Sequence, residues 1–485
     1  MTSTAEPSTP ASAAPPGTAA FDPHYTLEDK YARREGRIYL SGVQALVRLP
    51  LMQRLRDQAE GLDTAGFVSG YRGSPLGGFD LELWRARAHL EAAKVKFQPG
   101  LNEDLGATMV WGTQQTNLFP GANVDGVYAM WYGKGPGVDR CGDVFKHGNA
   151  AGTWKHGGVL ALAADDHACR SSTLPHGSED EFVSAMMPVL NPAGVQDILD
   201  LGLVGWAMSR YTGRWIGFKT IAETVESSAS VEVDPFARRI VLPEDFELPP
   251  GGLNIRWPDP PLEQEMRLHR YAVAAAQAFA RANGIDRVVM DAPDARLGIV
   301  TAGKSYLDVL QALEYLGLDE RACRDIGIRV YKVGMTWPLE PQGIAAFARG
   351  LEDIVVVEEK RAFIERQMKE QFYNWPAAWG RRPSIVGKYD EAGEWILPST
   401  GELTPATIAG VIGRRILRLP RSGAVATESI EQRLRWMEEK EAEMALPRAN
   451  FPRVPHYCSG CPHNTSTRVP EGSRALAGIG CHYMV

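Results

Sequence analysis

Three cysteines near the end of the printed sequence have the most specific spacing for chemistry. Cys458 and Cys461 form a C-x-x-C pair, and Cys481 follows in a glycine-rich stretch. Thiolates at this spacing hold an iron–sulfur cluster or a zinc ion, and both sites normally need four ligands. His463 or His482 could supply a zinc ligand, so the spacing leaves iron–sulfur and zinc open, with unligated thiols as a third alternative. Because the sequence stops soon after Cys481, we expect residues outside it to complete the site.

A glycine-rich turn offers a second kind of site. Gly70, Gly73 and Ser74 belong to GYRGSP, which follows an apolar run that predicts a strand. Glycines let a ligand approach the backbone, and the Ser74 hydroxyl can donate a hydrogen bond. The alternative is an ordinary strand–helix loop.

Glu103 is the carboxylate that the sequence favours for a cofactor site. It lies in QPGLNEDLGATMVWGTQQ, directly after Asn102. The small residues Gly106, Ala107 and Gly112 would let such a site pack closely. The alternative is that Asn102 caps a helix and that the acid simply favours the first helical turn.

A third candidate lies in the segment LALAADDHACRSST. Asp165 and Asp166 follow an apolar run, and His167 and the serines at 171–172 come next. Paired acids suggest a cation or a polar ligand network. A solvated loop that caps itself is the alternative. Cys169 has no base at a matched spacing, so it is weak evidence for a nucleophile.

The elements that must position these residues follow an alternation of short apolar runs and helical patterns. This alternation predicts an α/β fold with a parallel sheet flanked by helices. The segments DTAGFVSG, DGVYAMWYGK and GGVLALAAD predict strands that end beside the polar candidates. Because ligands of open parallel sheets bind outside the carboxyl ends of the strands, we expect the candidates to lie along one edge.

Composition and pattern divide the chain into six segments. A Ser/Thr/Ala/Pro-rich start predicts a disordered tail, and a proline-rich stretch predicts a linker between two α/β domains. Near the end, Ile430, Leu434, Met437 and Met444 recur at the spacing of a surface or connecting helix. The predicted segments are the tail (1–25), the first domain (26–235), the linker (236–262), the second domain (263–420), a connecting helix or linker (421–450) and the start of a cysteine-bearing domain (451–485).

The bulk composition is that of an ordinary α/β enzyme. Hydrophobic residues make up 44% of the chain, charged residues make up 23%, and the net charge of −7 disfavours nucleic acid as a partner. No apolar run approaches the roughly 18–20 residues of a membrane span, so we expect no membrane segment. The first 20 residues lack the pattern of a secretory signal, and six scattered cysteines do not suggest a disulfide scaffold. We therefore expect a cytoplasmic protein.

Taken in order, these motifs resemble the indolepyruvate:ferredoxin oxidoreductases, within the 2-oxoacid:ferredoxin oxidoreductase family. GYRGSP is similar to that family's GYPGTPS turn, and GGVLALAADDHACRSST resembles its GGLVVVVADDPGPHSSQ segment. LNEDLGATMVWGTQQ resembles the stretch that carries its glutamate. VGMTWPLEP and IVVVEEKRAFIERQ resemble elements of its second domain, and CSGCPH with GIGC resembles the opening of its diphosphate-binding domain. The resemblance covers residues 26–485, and the order of the motifs is more specific than any one of them.

The resemblance implies a fold and a set of cofactors. The first domain would be the pyrimidine-binding domain of a thiamine diphosphate enzyme, the second a transketolase C-terminal-like α/β domain, and the last segment the truncated start of a diphosphate-binding domain. The cofactors would be thiamine diphosphate with Mg²⁺ and a [4Fe–4S] cluster. Cys458, Cys461 and Cys481 would be three of the four cluster ligands.

The resemblance also implies roles for single residues. Glu103 takes the place of the family's glutamate, which shares a proton with the aminopyrimidine ring of thiamine diphosphate. Ser74 takes the place of a threonine whose hydroxyl lies near the substrate carboxylate. The cofactor-binding residues that we predict are Gly70, Gly73, Glu103, Asp165 and Asp166.

Two departures from the family pattern indicate its long, fused bacterial branch. Arg72 replaces the usual proline of the turn, and His167 replaces the proline after the aspartate pair. An arginine beside Ser74 could bind the carboxylate of a substrate through two hydrogen bonds. We therefore predict Glu103, Ser74 and Arg72 as the catalytic residues.

The implied reaction is the oxidative decarboxylation of an aryl or branched 2-oxo acid to an acyl-CoA, with electrons passing through iron–sulfur to ferredoxin. The sequence lacks a GDG…N signature for the diphosphate, so we expect missing C-terminal domains or a partner subunit to complete the site. The expected partners are the 2-oxo acid, coenzyme A and ferredoxin, and we expect a homo-oligomer. A truncated, inactive binding or assembly module and a zinc-organised, non-redox thiamine enzyme stay open as alternatives.

Overall fold

Three β-sheets organise the protein in this computed structural model, which describes residues 22–172, 174–419, 424–445, 456–457 and 459–476. The strands in these ranges are β1 (Gly36–Ser41), β2 (Ala65–Gly70), β3 (Val95–Phe97), β4 (Val127–Lys134), β5 (Val159–Asp165), β6 (Val189–Leu190), β7 (Trp215–Ile221), β8 (Ser228–Val233), β9 (Arg287–Met290), β10 (Leu297–Ala302), β11 (Ile328–Val333), β12 (Met335–Trp337), β13 (Asp353–Val357) and β14 (Ser384–Val386).

Helices connect these strands. Those in the described ranges are α1 (Asp29–Ala32), α2 (Gly42–Ala59), α3 (Phe79–Arg85), α4 (Arg87–Ala92), α5 (Glu103–Gln114), α6 (Gly135–Arg140), α7 (Gly142–Ala151), α8 (Glu179–Ser184), α9 (Val195–Thr212), α10 (Ala222–Val225), α11 (Pro261–Arg267), α12 (Val273–Ala282), α13 (Lys304–Tyr315), α14 (Glu320–Ile326), α15 (Pro341–Ala348), α16 (Ile364–Phe372), α17 (Pro405–Leu417), α18 (Ala424–Ala445) and α19 (His463–Ser466). Short 3₁₀ turns at Thr116–Leu118 and Ala377–Trp379 and a π-helical stretch at Leu268–Ala272 complete them.

The first sheet has the strand order β12-β6-β7-β5-β4-β2-β3. All neighbouring pairs are parallel except β12 with β6, at one edge. The central strand β5 reads VLALAAD and is buried throughout, which is typical of a parallel strand covered on both faces.

Alternate residues of β5 pack against the helices on the two faces of this sheet. Leu160, Leu162 and Ala164 join one hydrophobic cluster with the apolar residues of α2 and α9. Val159, Ala161 and Ala163 join another with apolar residues of α5, α7 and α8. Because successive strand side chains point to opposite faces, the apolar run of β5 contributes to the hydrophobic cores on both sides of the sheet.

The second sheet has the order β14-β13-β10-β11-β9, and its pairs are parallel except β11 with β9. A third sheet is the antiparallel pair of β1 and β8. One residue, Gly334, separates β11 in the second sheet from β12 at the edge of the first. The two large sheets are thus joined by a nearly continuous stretch of backbone.

The predicted α/β class is confirmed, with parallel strands at the centre of both large sheets and helices around them. The strands predicted from DTAGFVSG, DGVYAMWYGK and GGVLALAAD are β2, β4 and β5. In α18, Ile430, Leu434 and Met437 are buried, whereas Met444 is exposed. Within the described ranges, no helix has the length and apolar character needed to cross a membrane. The domain boundaries stay a prediction.

Candidate functional site

The carboxyl ends of three neighbouring strands define the candidate site. β2 ends at Gly70, β4 at Lys134 and β5 at Asp165. In the register of the sheet Gly70 lies beside Tyr132, and Lys134 lies beside Ala164, so the three ends are nearly level. The prediction that the polar candidates share one edge of a parallel sheet is therefore confirmed.

Two glycines bring α5 directly onto the end of β2. A Cβ atom added to Gly106 would lie 2.9 Å from Cα of Gly70, which is backbone and cannot turn aside. The predicted close packing at Gly106 and Ala107 is confirmed, because both residues are buried. The same prediction is wrong for Gly112, which is exposed, with open space where a side chain would stand. Gly112 lies near the carboxyl end of α5, on the side of the helix that faces solvent, whereas Gly106 lies near the start of α5 and contacts β2.

Asn102 begins α5 and thereby fixes the position of Glu103. The Asn102 side chain accepts a hydrogen bond from the backbone N–H of Leu105 at 2.9 Å, which is the helix cap predicted from the sequence. Glu103 is then the first helical residue, and its backbone carbonyl accepts a hydrogen bond from the Trp131 indole at 3.1 Å. The backbone of Glu103 is thus attached both to its own helix and to β4.

The Glu103 carboxylate occupies a space that a missing side chain leaves open. A Cβ atom added to Gly137 of α6 would lie 2.5 Å from Cγ and 2.9 Å from Oε1 of Glu103. Arg140 of the same helix places Nη1 3.9 Å from Oε2 and donates to the neighbouring Asp104 at 2.9 Å. The Glu103 side chain is only 15% exposed. In the described part of the chain no hydrogen bond reaches this carboxylate, so its oxygens are available to a ligand.

The turn after β2 presents the remaining catalytic candidates. Arg72 is exposed and Ser74 is half-buried. In the ranges that the structure covers, no carboxylate pairs with Arg72. Gly73 approaches the next strand, because an added Cβ would lie 2.9 Å from Cβ of Lys134. An unpaired guanidinium, a hydroxyl and an open carboxylate therefore belong to neighbouring strand ends, although their catalytic roles stay predictions.

Asp165 is buried at the end of β5 and surrounded by donors. Its carboxylate accepts hydrogen bonds from the Ser178 N–H at 2.9 Å and the Ser178 hydroxyl at 2.5 Å. His176 Nδ1 lies 3.3 Å and Lys219 Nζ 3.8 Å from its oxygens. Burial by itself would raise the pKa of Asp165, but His176 and Lys219 lower it well below the usual range. Asp165 is therefore held as a buried anion, and its predicted role in cofactor binding stays a prediction.

Asp166 organises its own loop. Its carboxylate accepts hydrogen bonds from the backbone N–H groups of Arg170 and Ser171 and from the hydroxyls of Ser171 and Ser172, at 2.7 to 3.1 Å. Burial raises its pKa, but these donors outweigh burial and lower it overall. The self-capping loop considered as an alternative is present at Asp166, and the loop also accepts a hydrogen bond from Lys134 at the Ser171 carbonyl.

His167 is buried between the two large sheets. Its Nδ1 atom lies 4.0 Å from a carboxylate oxygen of Glu359, and neither ring nitrogen has a hydrogen-bond partner among the described residues. Burial, followed by the charge of Lys219, holds the pKa of His167 well below its usual range. His167 is therefore a neutral ring at the junction of the two sheets.

The predicted cluster ligands fall largely outside the described residues. Cys458 and Cys481 are not among them. Cys461 is described: its Sγ lies 3.3 Å from Nδ1 of His463. Within the described residues no group of three or more potential ligands is assembled. The cluster ligation stays a prediction.

Four residues of the site escaped the sequence analysis: Lys134, Gly137, His176 and Lys219. Lys134 and Gly137 lie in GKGPG, whose glycines directly after a strand were a usable signal. Lys219 lies inside a strand, and its burial beside Glu179 and Asp165 is a tertiary contact. Burial lowers the pKa of Lys219, but the two carboxylates outweigh it and raise it overall.

A solved structure shares the fold of this chain. A solved 2-oxoglutarate:ferredoxin oxidoreductase from Magnetococcus marinus superposes with a TM-score of 0.54, covering 78% of this chain and 65% of that chain at 15% identity. That structure holds 2-oxoglutarate, coenzyme A and succinyl-CoA. At this identity the likeness concerns the α/β fold alone.

Sequence comparison finds relatives of one named family. Residues 287–444 match the family model described as the indolepyruvate oxidoreductase domain. The indolepyruvate oxidoreductase subunit IorA of Pyrococcus abyssi is 25% identical over 392 residues, which are 78% of this chain and 55% of that protein. The IorA subunit of Methanothermobacter thermautotrophicus is 25% identical over 453 residues, which are 90% of this chain and 61% of that protein. These matches support the resemblance to the indolepyruvate:ferredoxin oxidoreductase family that the motifs carry, and the chain spans little more than half the length of these relatives.

Proposed function

We propose that the chain supplies the pyrimidine half of the active site of a thiamine-diphosphate-dependent 2-oxoacid:ferredoxin oxidoreductase. The observation that carries this proposal is the Glu103 carboxylate, which lies against Gly137 of α6, is only 15% exposed and accepts no hydrogen bond from the described residues. A shielded carboxylate whose oxygens accept no hydrogen bond from the described residues is suited to share a proton with a ring nitrogen. When bound, thiamine diphosphate supplies a carbon nucleophile that attacks the 2-oxo group and accepts the electrons of decarboxylation.

The residues of the chain fit this cofactor. Gly137 leaves the space that the Glu103 side chain fills, and the carboxylate there accepts no hydrogen bond from the described residues, so it can accept one from a ring of the cofactor. Glu103 would hold the shared proton at its carboxylate. The strand-end edge is also where ligands of open parallel sheets bind.

The substrate end of the site would use the turn after β2. Arg72 has no carboxylate partner in the described ranges, and its guanidinium could hold the carboxylate of a 2-oxo acid through two hydrogen bonds. Ser74, in the same turn, would donate a third. The proposed substrates are aryl or branched 2-oxo acids. The proposed products are an acyl-CoA and CO₂, with electrons passed through iron–sulfur to ferredoxin.

The remaining parts of the proposed enzyme are not provided by the described residues. Missing C-terminal domains or a partner subunit would hold the diphosphate and Mg²⁺ and complete a [4Fe–4S] cluster on Cys458, Cys461 and Cys481. The relatives named as subunits support the proposal that another chain takes part. We propose a homo-oligomer in the cytoplasm.

The test compares two glutamates in equivalent positions of two helices. Glu103 follows the cap Asn102 in α5, and Glu320 follows the cap Asp319 in α14. In the assembled enzyme, we expect Glu103→Gln to lower the thiamine-diphosphate-dependent reduction of ferredoxin by 2-oxo acids about 10²- to 10⁴-fold and Glu320→Gln to leave it unchanged. Wild-type assemblies without thiamine-dependent activity would favour a binding or assembly module instead. Bound zinc without iron–sulfur absorbance would favour the zinc-organised alternative.

A further inference from the structure

The helix that faces Glu103 needs support from outside itself. α6 has six residues, GPGVDR, of which two are glycines and one is proline. Helices this short have little stability of their own, and glycine lowers it further. Yet α6 provides Gly137 and Arg140, the two residues beside the Glu103 carboxylate. Whatever fixes α6 therefore also fixes the surroundings of Glu103.

His176 contacts α6 at both of its ends. At the first residue, the imidazole fills the space where a side chain of Gly135 would stand. At the last turn, Nε2 of His176 lies 2.9 Å from a carboxylate oxygen of Asp139. On its opposite side Nδ1 lies 3.3 Å from Asp165, at the buried end of β5. One ring thus connects a short helix to the central strand of the sheet.

The charges around His176 favour its protonated form. Asp139 approaches from α6 and Asp165 from β5, while Lys219 of β7 and Glu179 of α8 pair with each other beside Asp165. Lys360, after β13, lines the same cleft of about 610 Å³. Burial lowers the pKa of His176, but the two aspartates outweigh burial and raise it to about 9. A protonated ring donates from both nitrogens and can bind both aspartates at once.

We propose that His176 is a positioning residue for Glu103: its imidazole, bridged between Asp165 and Asp139, fastens α6 to β5 and so keeps Gly137 and Arg140 against the Glu103 carboxylate. The inference rests on the proposed function, because it assigns His176 its purpose through Glu103. His176 touches neither substrate nor cofactor in this assignment. It acts through the helix that carries the walls of the site.

The first test measures how firmly α6 is held. The backbone N–H of Cys141 donates to the carbonyls of Gly137 and Val138, so its hydrogen exchange reports on the helix. We expect His176→Gln to lower the protection factor of this amide roughly 10- to 100-fold, as for losing one charge-assisted hydrogen bond. Ser178→Ala is the matched control: the Ser178 hydroxyl donates to the same Asp165 and lies 3.4 Å from Nδ1 of His176, but its loss leaves the His176–Asp139 contact in place. It should leave α6 protected, and an equal loss in both variants would overturn the inference.

The second test asks whether the protonation of His176 is what matters. In the wild type, the protection factor at Cys141 should fall as the pH rises from about 6.5, the ordinary pKa of histidine, to about 9, the raised pKa of His176. Asp139→Asn removes one of the two carboxylates that raise this pKa, so the fall should be smaller and should end at lower pH. His176→Gln should show no such fall. Asp139→Asn changes a half-exposed side chain, so it also serves if His176→Gln fails to fold. Identical pH profiles in the wild type and Asp139→Asn would contradict the proposal.

The third measurement reads Glu103 itself. The infrared band of its carboxylate, isolated by subtracting the spectrum of Glu103→Gln, should shift in His176→Gln and stay in place in Ser178→Ala. A loosened α6 with an unshifted Glu103 band would make His176 a residue of stability only and overturn the positioning role. These readouts do not use catalysis. If Glu103→Gln proved fully active, the proposed function would fail while the coupling of His176 to Glu103 could still be observed.

Discussion

Two carboxylates, one beside each large sheet, follow the ends of parallel strands and have opposite surroundings. Glu103 belongs to the carboxyl edge of the first sheet and accepts no hydrogen bond from the described residues. Glu358 directly follows β13 in the second sheet and accepts three, from the N–H groups that begin α16: those of Phe363, Ile364 and Glu365, at 2.7 to 3.1 Å. An acid at a strand end is therefore not by itself a ligand site. What distinguishes the two is whether the protein's own backbone already occupies the oxygens.

The difference follows from local sequence. After β13 the chain turns within a few residues into α16, and the buried Glu358 carboxylate satisfies N–H groups that a helix start leaves without partners. In α5 that task falls to Asn102, the residue before Glu103. The carboxylate next to it is thereby freed for other contacts. At the second sheet the Glu358 carboxylate binds the start of α16 itself. At the first sheet Asn102 caps α5, so the Glu103 carboxylate is not used for this purpose.

The largest effect that would test this comparison is on catalysis. Exchanging the Glu103 carboxylate for an amide removes the proposed proton-sharing group, and such groups contribute typically about 10²- to 10⁴-fold to rates. We expect Glu103→Gln to lose activity by this factor in the assembled enzyme, with no change in hydrogen-exchange protection of β2 or β4. Glu358→Gln should keep the activity. Loss of activity in both variants to the same extent would remove the distinction between the two edges.

Glu358 should instead govern how stability depends on pH. Burial raises the pKa of Glu358 from near 4.5 to about 7, although the N–H groups of α16 oppose the change. A raised carboxyl pKa means that the folded protein binds the proton more tightly, so the stabilisation is complete below about pH 4.5 and is lost as the pH rises to about 7. The full change for this shift is about 3 kcal/mol. We expect the exchange protection of β13 amides to decline across this window in the wild type.

The corresponding control is Glu358→Gln, which has no proton to lose. Its β13 protection should be nearly independent of pH between about 4.5 and 7. Glu103→Gln should keep the wild-type decline of β13 protection with pH, because Glu103 lies at the edge of the first sheet and β13 belongs to the second. A decline that persisted in Glu358→Gln would assign the pH dependence to other buried acids.

Substitutions of Arg72 test whether the carboxyl edge of the first sheet binds the carboxylate of a substrate. We expect Arg72→Ala to raise the Michaelis constant for 2-oxo acids roughly 10- to 100-fold, as for the loss of a charge-assisted pair. Arg72→Lys keeps the charge but not the two parallel hydrogen bonds, so its Michaelis constant should lie between those of the wild type and Arg72→Ala. The constant for ferredoxin should not change. An unchanged Michaelis constant for 2-oxo acids in Arg72→Ala would remove this arginine from the site.

The sequence predicted the parts of this arrangement that depend on neighbouring residues. Apolar runs predicted β2, β4 and β5, and the pattern around Asn102 predicted the cap that begins α5. Each rests on propensities acting over a few residues. The shared strand-end edge followed from a general rule of parallel sheets.

Contacts between distant segments could not be predicted in this way. His176 contacts Asp139, 37 residues away in the sequence, and the local sequence PHGS does not predict this pair. The self-capping of Asp166 was one of two alternatives that its loop sequence left open. Gly112 shows the converse, since a small residue in the right segment was expected to pack and instead faces solvent. Composition indicates which residues can pack closely, but only the tertiary fold determines which ones do.

The smallest expected effects come from two glycines of the same helix. An alanine at 106 would place its Cβ 2.9 Å from the backbone of Gly70, so the end of β2 or the start of α5 must move. Overpacking of this kind costs about 1–3 kcal/mol. An alanine at 112 meets open space and replaces a flexible helical residue, which should stabilise by about 0.5–1 kcal/mol. Thermal unfolding should therefore separate Gly106→Ala and Gly112→Ala in opposite directions. Because Glu103 begins the same helix, only Gly106→Ala should also reduce activity, and equal activities would show that the Gly70–Gly106 contact does not position Glu103.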